Sequence, residues 1–377
     1  HVLGDVAEVS QSDIETDDYY QPGDYIGKMG IERKYEKELR GQKGVQILLR
    51  DAHGRIKGRY KDGQYDQRPK PGSDLQLGLD ADLQALGERL MEGKIGAIVA
   101  IEPKTGQILA MVSSPTFDPR EMIGKMRGKN QQRMTLDPSK PLLNRAIMGQ
   151  YPPGSTFKTS QAITYFSEGI VSDSTRFPCH HGFSFRGLHV GCHAHASPIS
   201  IVPAISTSCN AYFAHEYRKI VEKYPTPALG IDAWNNHLKS FGLGQFLGSD
   251  FPIGRKGYVP DSKFYNRQYG ENRWGATYNI SNGIGQGEVL VTPLQLANVM
   301  AAIANKGYFY TPHIVKQIDN KQTPFEEYTV PKHTTIDPKH FDPVIKGMNM
   351  AYLAGTARRT QIDGINIAAK TGTAENF

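Results

Sequence analysis

The chain has 377 residues, a length for about two or three domains of ~150 residues each. Charged residues are 22% and the apolar set including Tyr is 38%, which excludes both global disorder and a membrane-embedded protein. Lys and Arg number 44 against 38 Asp and Glu, a net charge of +6. That mild bias suits a negatively charged membrane surface or an anionic substrate, and equally an ordinary solvated basic surface. No finger spacing or comb of aromatic and basic residues points to nucleic acid.

No run reaches the ~18 apolar residues of a membrane span. The longest, residues 95–101, reads as a buried strand. The chain opens at His1 with no visible signal peptide, a start compatible with an anchor upstream.

Residues 1–92 read as a separate region of strands and turns. Strands are expected at 46–49 and 75–79, and turns at Asp51-Ala-His-Gly54 and Lys70-Pro-Gly-Ser73. Residues 82–91 carry helical spacing, with Leu83, Leu86, Leu90 and Met91 on one side. From Gly96 the character changes. Residues 97–101 and 107–112 form a predicted hairpin around the turn Pro103-Lys-Thr-Gly106. Residues 154–168 read as a turn and a helix, with Phe157, Ile163 and Phe166 inward and Gly169 closing it. A second helix is expected over 290–306, with Pro293 in its first turn and Gly307 after it. An extended stretch follows at 308–318. Residues 365–373 read as a strand with only four residues after it. An edge so placed would be poorly covered, so the sheet is expected to continue beyond residue 377.

Pro153-Gly-Ser-Thr-Phe-Lys158 places Ser155 at a helix start with Lys158 three residues on, so both side chains share one face. A serine hydroxyl needs a base within hydrogen-bond reach, and a lysine kept neutral by burial or by a nearby cation can serve. Alone the pair is weak, because an N-cap serine and a solvated lysine give the same pattern. In Ser208-Cys-Asn210 the outer residues converge only if the segment is a bend between helices; Ser208 could then relay a proton and Asn210 hold a substrate amide. Otherwise it is a polar turn. In Lys370-Thr-Gly-Thr373 the two threonines share a strand face, and Gly372 leaves room for a substrate backbone. Otherwise it is an edge strand with a basic residue.

The three elements in this order are the signature of penicillin-binding proteins and serine beta-lactamases. The chain resembles class B penicillin-binding proteins further in Gly27-Lys-Met-Gly-Ile-Glu32, Tyr35-Glu36, Leu39-Arg40-Gly41, the stretch from Gly96 to Gly106, and Leu143-Asn-Arg-Ala146. The resemblance covers the whole chain and leans to the elongation-type members, with the division-type members as neighbours.

It implies an α/β sandwich, a mainly antiparallel sheet flanked by helices, over 93–377, and an elongated, strand-rich pedestal over 1–92. It implies a D,D-transpeptidase. Ser155 would attack the penultimate D-alanine carbonyl of a stem peptide, and Lys158 would take its proton. Ser208 and Asn210 would assist, and Lys370, Thr371, Gly372 and Thr373 would hold the terminal carboxylate. The backbone N–H groups of Ser155 and Thr373 would form the oxyanion hole. Beta-lactams would acylate Ser155. The resemblance also implies an inner-membrane protein with its catalytic domain in the periplasm. Its expected partners are a membrane glycan polymerase and a scaffold of the elongation complex. No cofactor is needed for this chemistry. The rival readings are a beta-lactam sensor that is acylated without turnover, and a relic scaffold.

Cys179, His180, His181, Cys192, His193 and His195 lie close together in sequence. One reading is a structural zinc site of Cys179, His181, Cys192 and His195, with His180 and His193 as the alternative imidazoles. Some elongation-type members resemble this in having zinc between the nucleophile and the S-x-N element. A Cys179–Cys192 disulfide and a plain polar loop are the alternatives. Cys209 is expected to pack as a small apolar residue.

Overall fold

A computed structural model describes residues 1–322 and 325–374. The N-terminal region is built from short antiparallel ribbons. β1 (Val6–Glu8) pairs with β2 (Tyr25–Gly27), and β3 (Leu48–Arg50) with β4 (Ile56–Arg59). β5 (Leu75–Leu77) leaves this region and pairs antiparallel with the strand Val315–Ile318 of the main body. Asp319 fastens that junction, accepting from the Asp74 N–H at 2.9 Å and the Ser73 hydroxyl at 2.8 Å. Tyr35 is buried at the same seam, its hydroxyl 3.4 Å from the buried carboxylate of Asp250. Asp250 in turn accepts the backbone N–H groups of Ile314 and Val315, each at 2.8 Å.

The main body is mixed α/β. β6 (Gly96–Ile101) and β7 (Ile108–Ser114) form the expected hairpin. Proline at 103 and glycine at 106, where φ is +78°, supply the tight reversal between them. The helix Ala81–Leu90 lies against β7. It makes that contact through Gly87, where a Cβ would come 2.8 Å from Val112 Cγ2. Its leucine side, Leu83, Leu86 and Leu90, is exposed. The helix Pro293–Ala304 packs on β6. Thr292 and Gln295 form its capping box, which fixes its start three residues later than the apolar spacing suggested.

Helices make up most of the core. The helix Lys158–Ser167, entered through a 3₁₀ turn at Gly154–Phe157, is buried at every position from Lys158 to Phe166. The helices Asn210–Lys223 and Pro227–Ser240 pack around it. Phe157, Tyr165, Phe213 and Trp234 lie in one continuous apolar cluster. Two buried side-chain hydrogen bonds fix the central helix laterally: Trp234 Nε1 donates to Gln161 Oε1 at 2.7 Å, and Gln161 Nε2 to the Asn282 carbonyl at 2.9 Å. Burying polar groups is tolerable here because each finds a partner.

One element departs from the sequence expectation. Residues 365–373 form no strand. A strand is a pairing as well as a pattern, and no ladder reaches these residues among those described. Ala369 N–H instead donates to the Met348 carbonyl, 3.0 Å away on the helix Asp342–Leu353.

Candidate active site

Three chain segments meet around Lys158. Ser155 lies in the 3₁₀ turn that precedes the central helix, and Lys158 is the first α-helical residue. The turn is reached through Gly154 at φ +55°, and close packing on both sides also requires glycine. A Cβ on Gly154 would lie 2.2 Å from the Thr373 carbonyl oxygen, and one on Gly285 would lie 2.1 Å from the Gly154 carbonyl oxygen. The Gly154 N–H donates to the Gly285 carbonyl at 2.8 Å. Backbone therefore lies on backbone on either side of the serine.

Ser208-Cys-Asn210 is the expected bend between helices, Ile201–Ser206 before it and Asn210–Lys223 after it. Ser208 takes φ +59°, a conformation non-glycine residues adopt only when surrounding contacts hold them there. Those contacts come from Lys158. Its Nζ donates to the Ser208 carbonyl at 2.9 Å, to Asn210 Oδ1 at 2.6 Å, and lies 3.3 Å from Ser208 Oγ. Lys370 Nζ closes the ring, donating to Ser208 Oγ at 2.9 Å and to the Thr371 carbonyl at 2.8 Å. Ser208 Oγ thus sits between two amines.

Burial pulls the Lys158 amine down to about 7, and the neighbouring Lys370 charge pushes the same way. Cys209 and Cys192 oppose the shift. Burial alone brings Lys370 down to about 8. A fully buried lysine near neutrality is available as a base. Among the described residues Ser155 Oγ has no hydrogen-bond partner, and the residue is partly exposed to solvent.

The last segment faces this group. Thr371, Gly372 and Thr373 are exposed. A Cβ on Gly372 would come 2.7 Å from Thr156 Cγ2, so this segment runs directly beside the serine turn. Thr371 Oγ1 is hydrogen-bonded to Thr356 Oγ1 at 2.8 Å. All eight residues of the three sequence elements are therefore gathered in one place.

Sequence reasoning missed the loop behind the serine turn. Gly283, Gly285 and Gly287 fall within five residues, a spacing that signals a tight loop. Gly285 adopts φ +75° and supports the Gly154 turn.

A second cluster adjoins the first. One ligand atom each from Cys179, Cys192, His195 and Cys209 lies within 4.8 Å of all the others. This corrects the expected zinc set. His181 is exposed at φ +59°, with its carbonyl accepting from the Cys192 N–H at 2.8 Å, so it stands outside the group. Cys209, expected only as core packing, supplies the fourth atom instead. The expected disulfide alternative is absent, since all three cysteines are free.

The cluster fits a metal ion in donor type and in orientation. Three sulfurs and one imidazole, gathered within 4.8 Å of one another, are a four-donor set of the kind structural zinc takes. His195 Nδ1 lies 2.8 Å from the Ala196 carbonyl, and Nε2 lies 3.5 Å from Cys192 Sγ. A backbone carbonyl on one ring nitrogen leaves the other as the ligand. Hydrogen bonding from Cys209 draws the Cys192 thiol down to about 4, and the same contact pushes the Cys209 thiol up.

Residues 96–377 match the penicillin-binding protein transpeptidase domain family, and residues 1–77 the penicillin-binding protein dimerisation domain family. The chain is 33% identical over 387 residues to the peptidoglycan D,D-transpeptidase MrdA of Acinetobacter baumannii, covering 100% of this chain and 55% of that protein. It resembles the crystal structure of Pseudomonas aeruginosa PBP2 in complex with WCK 5153. The TM-score is 0.81 at 30% identity, over 100% of this chain and 78% of the other. A complex between PBP2 and MreC from Helicobacter pylori gives a TM-score of 0.86 at 27% identity, over 100% and 67% of the two chains. The chain spans roughly half to three-fifths of the length of the curated relatives it matches.

Proposed function

The chain belongs to the penicillin-binding protein transpeptidase family, as a class B member homologous to the elongation-specific proteins, and we propose that it is part of a serine D,D-transpeptidase that cross-links peptidoglycan stem peptides. The observation that carries this reading is the placement of Lys158 Nζ on both Ser208 and Asn210, with Lys370 on the far side of Ser208.

In this reading Ser155 Oγ attacks the carbonyl of the penultimate D-alanine and Lys158, neutral in its buried position, accepts the hydroxyl proton. Negative charge develops on the carbonyl oxygen. The Ser155 and Thr373 N–H groups are the donors that would meet it, because the two segments lie side by side across Gly154 and Gly372. The leaving D-alanine amine needs a proton, and Ser208 Oγ, held between the two amines, passes it on. Asn210 orients the peptide through its side-chain amide. Lys370, with the Thr371 and Thr373 hydroxyls, receives the terminal carboxylate. The amine of a second stem then attacks the acyl-enzyme, and a beta-lactam would acylate Ser155 by the same first step.

Cys179, Cys192, Cys209 and His195 would hold a structural zinc ion, which supplies a closed tetrahedral anchor and no reactive position. These residues fix the loop that carries Cys192 against the bend that carries Ser208 and Asn210. The N-terminal region and the membrane segment expected upstream would place this domain in the periplasm, beside a glycan polymerase and a scaffold of the elongation complex. The Helicobacter relative described together with MreC supports that placement.

The test is intact mass after incubation with benzylpenicillin, for the chain and its Ser155→Ala variant, followed by D-alanine release from a stem pentapeptide. One adduct lost in S155A, together with D-alanine release, is expected. An adduct that survives in S155A would overturn the serine mechanism. An adduct without any release of D-alanine would favour a sensor.

A further inference from the structure

We propose that Cys192 and Cys209 are a site of reversible oxidative modification: without a bound metal ion they join in a disulfide that takes the Ser208–Asn210 bend out of register. The effect on acylation rests on the transpeptidase reading; formation of the bond does not.

The two sulfurs are 3.7 Å apart, and neither is in a disulfide. Cys192 is half-buried directly after β9 (Leu188–Gly191), a strand whose hairpin partner is β8 (Gly182–Phe185). Leu188, His189 and Gly191 are exposed, so a small oxidant approaches Cys192 from solvent. Cys209 is wholly buried, with its sulfur against that of Cys192. That asymmetry orders the reaction. The Cys192 sulfur attacks a small-molecule disulfide and expels one thiol, giving a mixed disulfide. The Cys209 sulfur, losing its proton, then attacks Cys192 Sγ and expels the second thiol. Two protein thiols are oxidised, one external disulfide is reduced to two thiols, and the atoms balance. A metal ion on these sulfurs would occupy the same lone pairs, so the metal-bound form is closed to both steps.

The consequence follows from where Cys209 sits. Its sulfur caps the helix Asn210–Lys223, accepting from the Tyr212 N–H at 3.3 Å. Ser208 precedes it at φ +59°, and Asn210 follows it, donating to the Gly191 carbonyl at 3.0 Å beside Cys192. Closing the sulfurs from 3.7 Å to a bond of about 2 Å draws the bend and the loop together. The groups displaced are the two that hold Lys158 Nζ.

Trypsin separates the candidates. Residues 187–218 form one peptide containing both Cys192 and Cys209, and residues 177–186 form another containing Cys179. The full chain, metal-loaded or stripped with a chelator, is treated with oxidised glutathione and mapped by mass. Its acylation by benzylpenicillin is timed in parallel. In the stripped protein, peptide 187–218 should lose two hydrogens with no link to 177–186. Acylation should slow by about tenfold or more, and recover on reduction in the presence of zinc. The metal-loaded protein should keep its thiols. A linkage through Cys179, an unchanged mass, equal oxidation of the loaded form, or an oxidised protein acylated at the original rate would each overturn the proposal. If the reduced, metal-loaded protein is not acylated at Ser155, the transpeptidase reading fails while the peptide masses still decide the disulfide.

Discussion

Nine consecutive residues of the helix behind Ser155, Lys158 to Phe166, are buried, whereas Thr371, Gly372 and Thr373 on the facing wall are exposed. The first wall is tied down through the core: Gln161 to Trp234, Tyr165 to the Phe213 carbonyl, and Lys158 to the bend at Ser208. The second is held by a few contacts at its surface, namely Ala369 to Met348, Thr371 to Thr356 and Lys370 to Ser208. The wall to which proton transfer is assigned is thus preorganised by burial. The wall to which substrate binding is assigned is set in part by side-chain hydrogen bonds that an incoming carboxylate would be able to replace. Changes to the first should alter rate, and changes to the second should alter the concentration of ligand needed.

The largest effect is expected from Lys158→Met. Acylation should fall by about 10²- to 10⁴-fold with the loss of the base. The melting temperature should change little, because relief of a desolvated amine offsets the lost hydrogen bonds to Ser208 and Asn210. A parallel fall in melting temperature would show that the lysine serves the fold and would break the contrast between the walls.

An intermediate effect is expected from pH. Below about 7 Lys158 is protonated and cannot accept the Ser155 proton, so the acylation rate should fall about tenfold per pH unit. Above about 8 Lys370 loses the charge that would attract a carboxylate, and the half-saturating ligand concentration should rise. A flat profile from pH 5.5 to 9 would remove the neutral-lysine mechanism.

The smallest is expected from Thr356→Val. It frees the Thr371 hydroxyl from its 2.8 Å partner and should change the half-saturating beta-lactam concentration about 2- to 10-fold. The limiting acylation rate should stay the same. A fall in limiting rate would place Thr356 with the first wall.

The first wall was also the more legible in the sequence. Ser155, Lys158, Ser208 and Asn210 sit at helix starts and in a bend, features fixed by residues within four positions, and Pro153, Gly154 and Gly169 mark them. The hairpin β6–β7 was readable for the same reason. Residues 365–373 read as a strand, but strand formation depends on a partner far away in the chain, which local sequence cannot reveal. Cys209 was read as packing because its neighbours in space are Cys179, Cys192 and His195, none within a helical turn of it. His181 looked as good a ligand as His195; only the turn into β8, with φ +59°, sends it outward. The leucine side of Ala81–Leu90 was legible as a helix, whereas its exposure follows from the contact through Gly87, a tertiary fact.

The glycines beside Ser155 carry a thermodynamic consequence. Where Gly154 meets Thr373 and Gly285 meets Gly154, the contacts are between main-chain atoms. Main chain packed in this way has no rotamers to freeze when a ligand arrives. The ordering penalty for acylation therefore falls on the ligand and on the few exposed side chains opposite. Across a series of ligands, differences in activation entropy should follow the ligand's own flexibility, with the floor of the cleft contributing an almost constant amount.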